Sequence, residues 1–144
     1  MATSIDLEFA DGVYTCALPL ERIDELQRKT GVGIGSLFGR VLKGSQQIGD
    51  EVILSPGHAE FYVLDLVETI RQGLIGGGRG RVDGRDVIVT PPVAQRLIAS
   101  YVLTRPLSEA WSHAIAILGA TMVGYDPPGE AEAGQDPAEK ATAA

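Results

Sequence analysis

The feature that most constrains this fold is a change in the spacing of apolar residues after Pro19. Before Pro19, apolar and acidic residues alternate over 5–9, which is typical of a strand that buries one face. The pair Asp11-Gly12 predicts a tight turn, and the β-branched and aromatic residues of 13–18 predict the return strand. The chain therefore opens with a β-hairpin, which needs a further layer to bury one of its faces.

Beyond Pro19 the apolar residues recur at helical spacing, and proline and glycine mark where the helices start and stop. Five helices are predicted, at Leu20–Gly31, at Ile34–Leu42, from Ser55-Pro56 to the glycines at 76–78, from Thr90-Pro91 through Val102, and from Leu107 through Met122. Residues 44–58 form a connector with a short strand at Glu51–Leu54. Residues 79–90, with Asp83-Gly84, form either a second small hairpin or a mobile loop.

These segments predict an α+β fold, in which the N-terminal β-hairpin packs on a mainly α-helical bundle of four or five helices. The 144 residues are enough for one domain, which we place at 1–125. Residues 126–144 contain five acidic residues, one lysine and no large apolar residue. Such a composition cannot form a packed core, so we predict a disordered acidic tail that is dispensable for folding.

Charge and composition narrow the classes of function. The formal net charge is −7, which makes the surface a poor match for phosphate backbones, so no nucleic-acid partner is expected. No apolar stretch approaches the roughly 20 residues of a membrane span, and the first residues do not resemble a signal peptide. The single cysteine, Cys16, is expected to be a buried, inert thiol in a reducing compartment. These features predict a cytoplasmic location.

The patterns that could carry chemistry are weak. Gly39–Ser45 has the spacing of a phosphate-binding loop, but Ser45 stands where that loop needs lysine. His58 and His113 are predicted in different helices, whereas a zinc site needs three or four ligands. The carboxylates are expected mostly on polar helix faces or in the tail. We therefore predict no catalytic residues, no cofactor and no metal.

The glycine run Gly76-Gly77-Gly78 has two interpretations together with the arginines that follow it. It could form an anion-binding loop with Arg79, Arg81 and Arg85, or belong to a solvated, mobile loop. Asp83 and Asp86 alternate with these arginines and partly cancel their field, which favours the second interpretation.

Helical surface remains as the candidate functional element. Tyr101, Leu107 and Trp111 are the predicted partner-binding residues, because large apolar and aromatic side chains dominate binding hot spots. For Trp111 the alternative, a core anchor, is favoured.

Two sequence strings carry a resemblance to a known family. The first is Gly73-Leu74-Ile75-Gly76-Gly77-Gly78 at the end of a helix. The second is Arg105-Pro106-Leu107-Ser108-Glu109-Ala110, which lies between two helices. Together with the N-terminal hairpin and first helix, they make residues 5–125 similar to a phage tail protein family found in gene transfer agents.

The resemblance implies a non-enzymatic role in building a tail. Members of the family are tail assembly chaperones or tail tube proteins. The chaperone function would be to bind and solubilise the tape measure protein, with the tail tube protein as a further partner and with self-association allowed. The alternative is a structural subunit of the tail, a tube or tube-associated protein located in the virion. The predominance of helices favours the chaperone.

Overall fold

The computed structural model describes residues 1–126, in which the chain forms six strands and five α-helices. The strands are β1 (Ser4–Phe9), β2 (Gly12–Ala17), β3 (Ser45–Ile48), β4 (Glu51–Leu54), β5 (Arg79–Val82) and β6 (Arg85–Ile88). The helices are α1 (Leu20–Thr30), α2 (Ile34–Leu42), α3 (Val63–Gly77), α4 (Pro91–Tyr101) and α5 (Leu107–Val123), and a 3₁₀ turn spans Pro56–His58. The predicted tail lies, apart from Asp126, outside the described residues.

The predicted α+β fold is confirmed: an N-terminal hairpin packs against five α-helices. The sheet is larger than expected, because β5 and β6 join it in the antiparallel order β1-β2-β5-β6. Residues 79–90 are thus not a mobile loop. Asp83 and Gly84 have φ angles of 50° and 76°, and both lie in the two-residue turn that favours such pairs.

The turn of the first hairpin lies one residue earlier than predicted. Phe9 pairs with Gly12, so Ala10-Asp11 forms the turn and Ala10 adopts a φ of 57°. Gly12 belongs to β2 instead. A Cβ atom there would overlap the carbonyl oxygen of Arg81 in the neighbouring strand, which explains why glycine occupies this position.

The helix bounds agree with the sequence patterns except at the start of α3. The pair Ser55-Pro56 leads into the separate 3₁₀ turn, and the Ser55 side chain makes no capping hydrogen bond. α3 begins at Val63, where the Asp65 carboxylate accepts a hydrogen bond from the Tyr62 backbone N–H at 2.8 Å. The pair Thr90-Pro91 does begin α4 as predicted, with the Thr90 hydroxyl accepting from the Val93 backbone N–H.

α3 is the central element of the core. It packs against β2, α1, α4 and α5, and its apolar side chains Leu66, Val67, Ile70 and Leu74 are buried. The largest buried apolar side chains come from all five helices: Leu26, Leu37, Leu66, Ile70, Leu74, Ile98, Trp111, Ile117 and Leu118. β3 and β4 form a separate two-stranded sheet outside the four-stranded one.

Candidate interaction surfaces

The first family string forms an internal contact between α3 and β2. A Cβ atom on Gly76 would overlap the Ala17 carbonyl oxygen, and one on Gly77 would overlap that of Thr15. At Gly73 an added Cβ would lie 3.2 Å from the Ile117 side chain. We call this contact of Gly73, Gly76 and Gly77 the glycine seam. It lets the last turns of the helix approach the strand backbone directly.

The remaining members of the first string complete this contact. Leu74 is fully buried in the core, and Ile75 is partly buried against it. Gly78 ends the helix in the left-handed region, with a φ of 71°, a conformation that glycine adopts at low cost. The string therefore builds a helix end inside the fold, and β5 starts directly after it.

The second family string forms the connection between α4 and α5. The Arg105 guanidinium lies 5.8 Å from the centre of the Tyr101 ring and 3.7 Å from the Glu109 carboxylate. Ala110 is buried, while Leu107 is 43% exposed. Pro106 precedes the first residue of α5 and ends the chain segment that leaves α4.

A groove of about 420 Å³ lies between the β1–β2 turn and this connection. Tyr101, Arg105 and Glu109 line it together with His113. The His113 Nε2 atom lies 3.2 Å from the Glu8 carbonyl oxygen, and burial lowers the pKa of this imidazole. The groove thus brings together one predicted partner-binding residue, Tyr101, and the charged residues of the second string.

Trp111 lies in the core, as the favoured interpretation held. Its side chain is 1% exposed, its indole N–H donates to the Val41 carbonyl oxygen at 2.7 Å, and the Phe61 ring packs 5.0 Å away. In this structure Trp111 offers no surface to a partner. Partner binding remains a prediction for Tyr101, which is partly buried, and for Leu107.

The expectation that carboxylates lie on polar helix faces is wrong for Asp65 and Glu68, which are 1% and 5% exposed. The Arg40 guanidinium donates two hydrogen bonds to Asp65, at 2.6 and 2.8 Å. Glu68 accepts a hydrogen bond from Arg71 at 2.9 Å. Sequence spacing gives no signal for the Asp65–Arg40 pair, because Arg40 comes from α2, a separate helix, and this pair joins α2 to α3. Glu68 and Arg71 lie three residues apart within α3, so their pair is local.

Chemically reactive groups are few in the described part of the chain. Burial raises the pKa of the Cys16 thiol to about 12, which agrees with the inert thiol that the sequence predicts. Over residues 1–126, no group of three or more His, Cys, Asp or Glu side chains lies close enough to hold a metal ion. Within the same residues, no helix has the length and hydropathy needed to cross a membrane.

One exposed apolar element was not predicted from the sequence. The residues assigned to a connector form the β3–β4 hairpin, in which Ile48, Val52 and Ile53 are 56%, 41% and 43% exposed. The strand at 51–54 was predicted, but its partner strand was not. Residues 45–48 pair with the predicted strand at 51–54 across the turn at Gly49-Asp50, and Gly49 has a φ of 63°.

Comparison with known proteins defines the class to which this fold belongs. The model of the family described as "Phage tail tube protein, GTA-gp10" matches residues 2–124, from the start of the sheet to the end of α5. The chain therefore belongs to this phage tail family, whose description names the gene transfer agents. No curated protein and no solved structure matches the chain.

Proposed function

We propose that this chain is a structural subunit of the tail of a phage or gene transfer agent, located in the tail tube or directly on it. The family match over residues 2–124 carries this proposal, since it includes every strand and helix described above. The description of that family names a tube protein. This gives the structural subunit more support than the chaperone that the helical sequence pattern favours.

Two features of the surface support a repeated assembly. A subunit of a tube must contact its neighbours through different surfaces, because identical head-to-tail contacts close a ring or extend a filament. β6 is an outer strand of the four-stranded sheet, and the β3–β4 hairpin exposes apolar side chains elsewhere on the molecule. Self-association would cover both the outer edge of β6 and the apolar side chains of the hairpin.

The test is to measure this chain in purified tailed particles. Quantitative mass spectrometry after a high-salt wash should find many copies per particle, in a fixed ratio to the other tail proteins. A host cytoplasmic protein of similar size serves as the control for contamination. If the chain is present in the lysate during assembly but absent from washed particles, it is not a structural subunit.

The second candidate is a tail assembly chaperone that binds the tape measure protein. The composition of the fold favours it, since helices hold 52% of the described residues and strands 24%, and no strand exceeds six residues. This function predicts that the chain is absent from particles and raises the soluble yield of a co-expressed tape measure protein. If it neither co-purifies with that protein nor raises its yield, the chaperone hypothesis fails.

A further inference from the structure

Unpaired positive charge is concentrated at one edge of the four-stranded sheet. Among residues 1–126, four arginines have no carboxylate within 4.0 Å. Arg79 and Arg85 belong to the β5–β6 hairpin, and Arg96 lines a hollow beside it. The fourth, Arg22, donates a hydrogen bond to Gln72 instead. Residues 79–88 together with Arg96 hold four arginines against Asp83 and Asp86, a net charge of +2, so a protein with a net charge of −7 carries a local basic surface here, which attracts acidic partners.

The same edge has unpaired backbone groups. β6 is the last strand of the sheet, and the Val89 N–H donates to the Gly78 carbonyl oxygen. Because antiparallel pairs alternate, the backbone N–H and C=O groups of Asp86 and Ile88 point away from β5. The Ile88 side chain is 78% exposed. We call β6, with Arg79, Arg85 and Arg96, the basic edge, and it can accept another strand.

A complementary element lies in the β3–β4 hairpin, which we call the acidic hairpin (residues 45–54). It contains Asp50 and Glu51 and no basic residue, and neither acid has an ion-pair partner within residues 1–126. Ile48 and Ile53 lie on one face of the ribbon, since Ile48 pairs with Glu51 and Ile53 with Gln46. Two strands alone are marginal in water, so this face gains from a third.

The acidic hairpin and the basic edge belong to different sides of the sheet. Leu54, at the base of the hairpin, lines one hollow with Glu8 of β1 and His113. β6 is the opposite edge of the sheet, with β2 and β5 between it and β1, and adjacent strands are about 4.8 Å apart. A contact between the two elements therefore joins two molecules.

We propose that the acidic hairpin of one copy adds to the basic edge of a second copy, extending its sheet in a head-to-tail contact. Charge complementarity and the open backbone groups define the partner as a second copy of this chain. The inference rests on the proposed function, because a tube requires such repeated contacts. Each copy keeps one free hairpin and one free edge, so the contact closes a ring or extends a filament.

The test exchanges the charges of the two elements. The hairpin variant is Asp50→Lys/Glu51→Lys, and the edge variant is Arg79→Glu/Arg85→Glu. Each variant places like charges across its own contact. Each variant alone should therefore self-associate at least about tenfold more weakly than the wild type. In an equimolar mixture, the lysine-bearing hairpin of the first variant can meet the glutamate-bearing edge of the second, and the acidic hairpin of the second can meet the basic edge of the first. Association should therefore return.

Sedimentation velocity at low salt measures the wild type, each variant and the mixture, and circular dichroism checks that each variant folds. The matched control is Arg28→Glu/Lys29→Glu on α1, which has the same charge change as the edge variant and should associate as the wild type does. The proposal is overturned if the wild type stays monomeric, if the single variants associate normally, or if the mixture does not recover.

A cross-linking experiment avoids the dependence on charge. A chain with Ile53→Cys, mixed with a chain with Ile88→Cys, should form the mixed dimer with a short thiol cross-linker, while Cys16 stays unreactive because it is buried. Replacing the first chain with a Lys29→Cys chain should abolish the product. No mixed dimer would contradict the proposed contact. The proposed contact and the proposed function can fail separately. If association recovers in the mixture but the chain is absent from purified particles, the contact holds and only the structural function is overturned.

Discussion

The glycine seam and the acidic hairpin are opposite solutions to the packing of a strand. In the seam, β2 lies against α3 so closely that side chains on Gly76 and Gly77 would overlap the strand backbone. In the hairpin, β3 and β4 pair only with each other among residues 1–126, and Ile48 and Ile53 remain about half exposed. The first arrangement completes the fold, whereas the second leaves apolar surface for another molecule.

The residues that identify the family are therefore not the same as the residues that are available for binding. The glycine string carries much of the resemblance, yet most of its residues are buried or partly buried in the interior. The hairpin contains no family motif and exposes more apolar surface. The residues of the glycine string therefore report how the domain folds, and the exposed hairpins are a better place than this string for a partner to bind.

Trp111→Ala should have the largest effect on the buried side of the comparison. Loss of the indole, its contact with Phe61 and its hydrogen bond to Val41 should lower the free energy of unfolding by about 3–5 kcal/mol. Chemical denaturation measures this loss. Leu107→Ala, on an exposed side chain of the same helix, should change stability by about 0.5 kcal/mol or less. A stable Trp111→Ala protein that loses partner binding would show instead that Trp111 is an exposed anchor.

Gly77→Ala tests the seam itself. The added methyl group meets the Thr15 carbonyl, which belongs to the backbone and cannot rotate away, so the free energy of unfolding should fall by about 3 kcal/mol. The control is Gly39→Ala in α2, where an added Cβ meets nothing within 4 Å. That change should raise stability by about 0.5–1 kcal/mol, because alanine favours helix. Equal stabilities of the two variants would contradict the close approach.

Ile48→Thr/Ile53→Thr tests the exposed side of the comparison. Threonine keeps the preference for strands, so the free energy of unfolding should change by about 0.5 kcal/mol or less, while self-association should weaken by about tenfold. The matched control, Leu20→Thr/Leu103→Thr, alters two exposed leucines outside the hairpin and should associate normally. A large loss of stability in the hairpin variant would show that these isoleucines serve the fold.

The smallest expected effect is a pH dependence from His113. Burial lowers its pKa in the folded state, so the unfolded chain binds its proton first as the pH falls below about 6.5. Stability should therefore decrease between pH 7 and pH 5, and the decrease should end below the folded-state pKa. Melting temperatures of the wild type should fall more steeply over this range than those of His113→Gln. Parallel curves would contradict a buried imidazole.

Local signals in the sequence predicted most of the helices, because caps, prolines and apolar spacing act within a few residues. α1 and α2 match their predicted spans, and Thr90-Pro91 begins α4. The predicted start of α3 was wrong. Asp65 caps the helix through the Tyr62 N–H, three residues before it, and the same carboxylate is held by Arg40 from another helix. No local pattern contains that contact.

The sheet and the candidate surfaces were harder to predict, since strand pairing joins distant segments. β5 pairs with β2 across more than 60 residues, so the turn at Asp83-Gly84 was visible but its place in the sheet was not. The same pairing moved the first turn to Ala10-Asp11, because Gly12 must pass close to Arg81. The exposure of Ile48 and Ile53 was also invisible, since it depends on what the rest of the chain leaves uncovered.

Hydrogen exchange of the backbone amides in the free and the self-associated protein tests the central claim most directly. The amides at the end of α3 should exchange slowly in both states, because the glycine seam lies inside the fold. Amides of the acidic hairpin and of Asp86 and Ile88 should exchange quickly in the free protein and slow on association. Protection gained only around Tyr101 and Leu107, with the hairpin and β6 unchanged, would contradict the account.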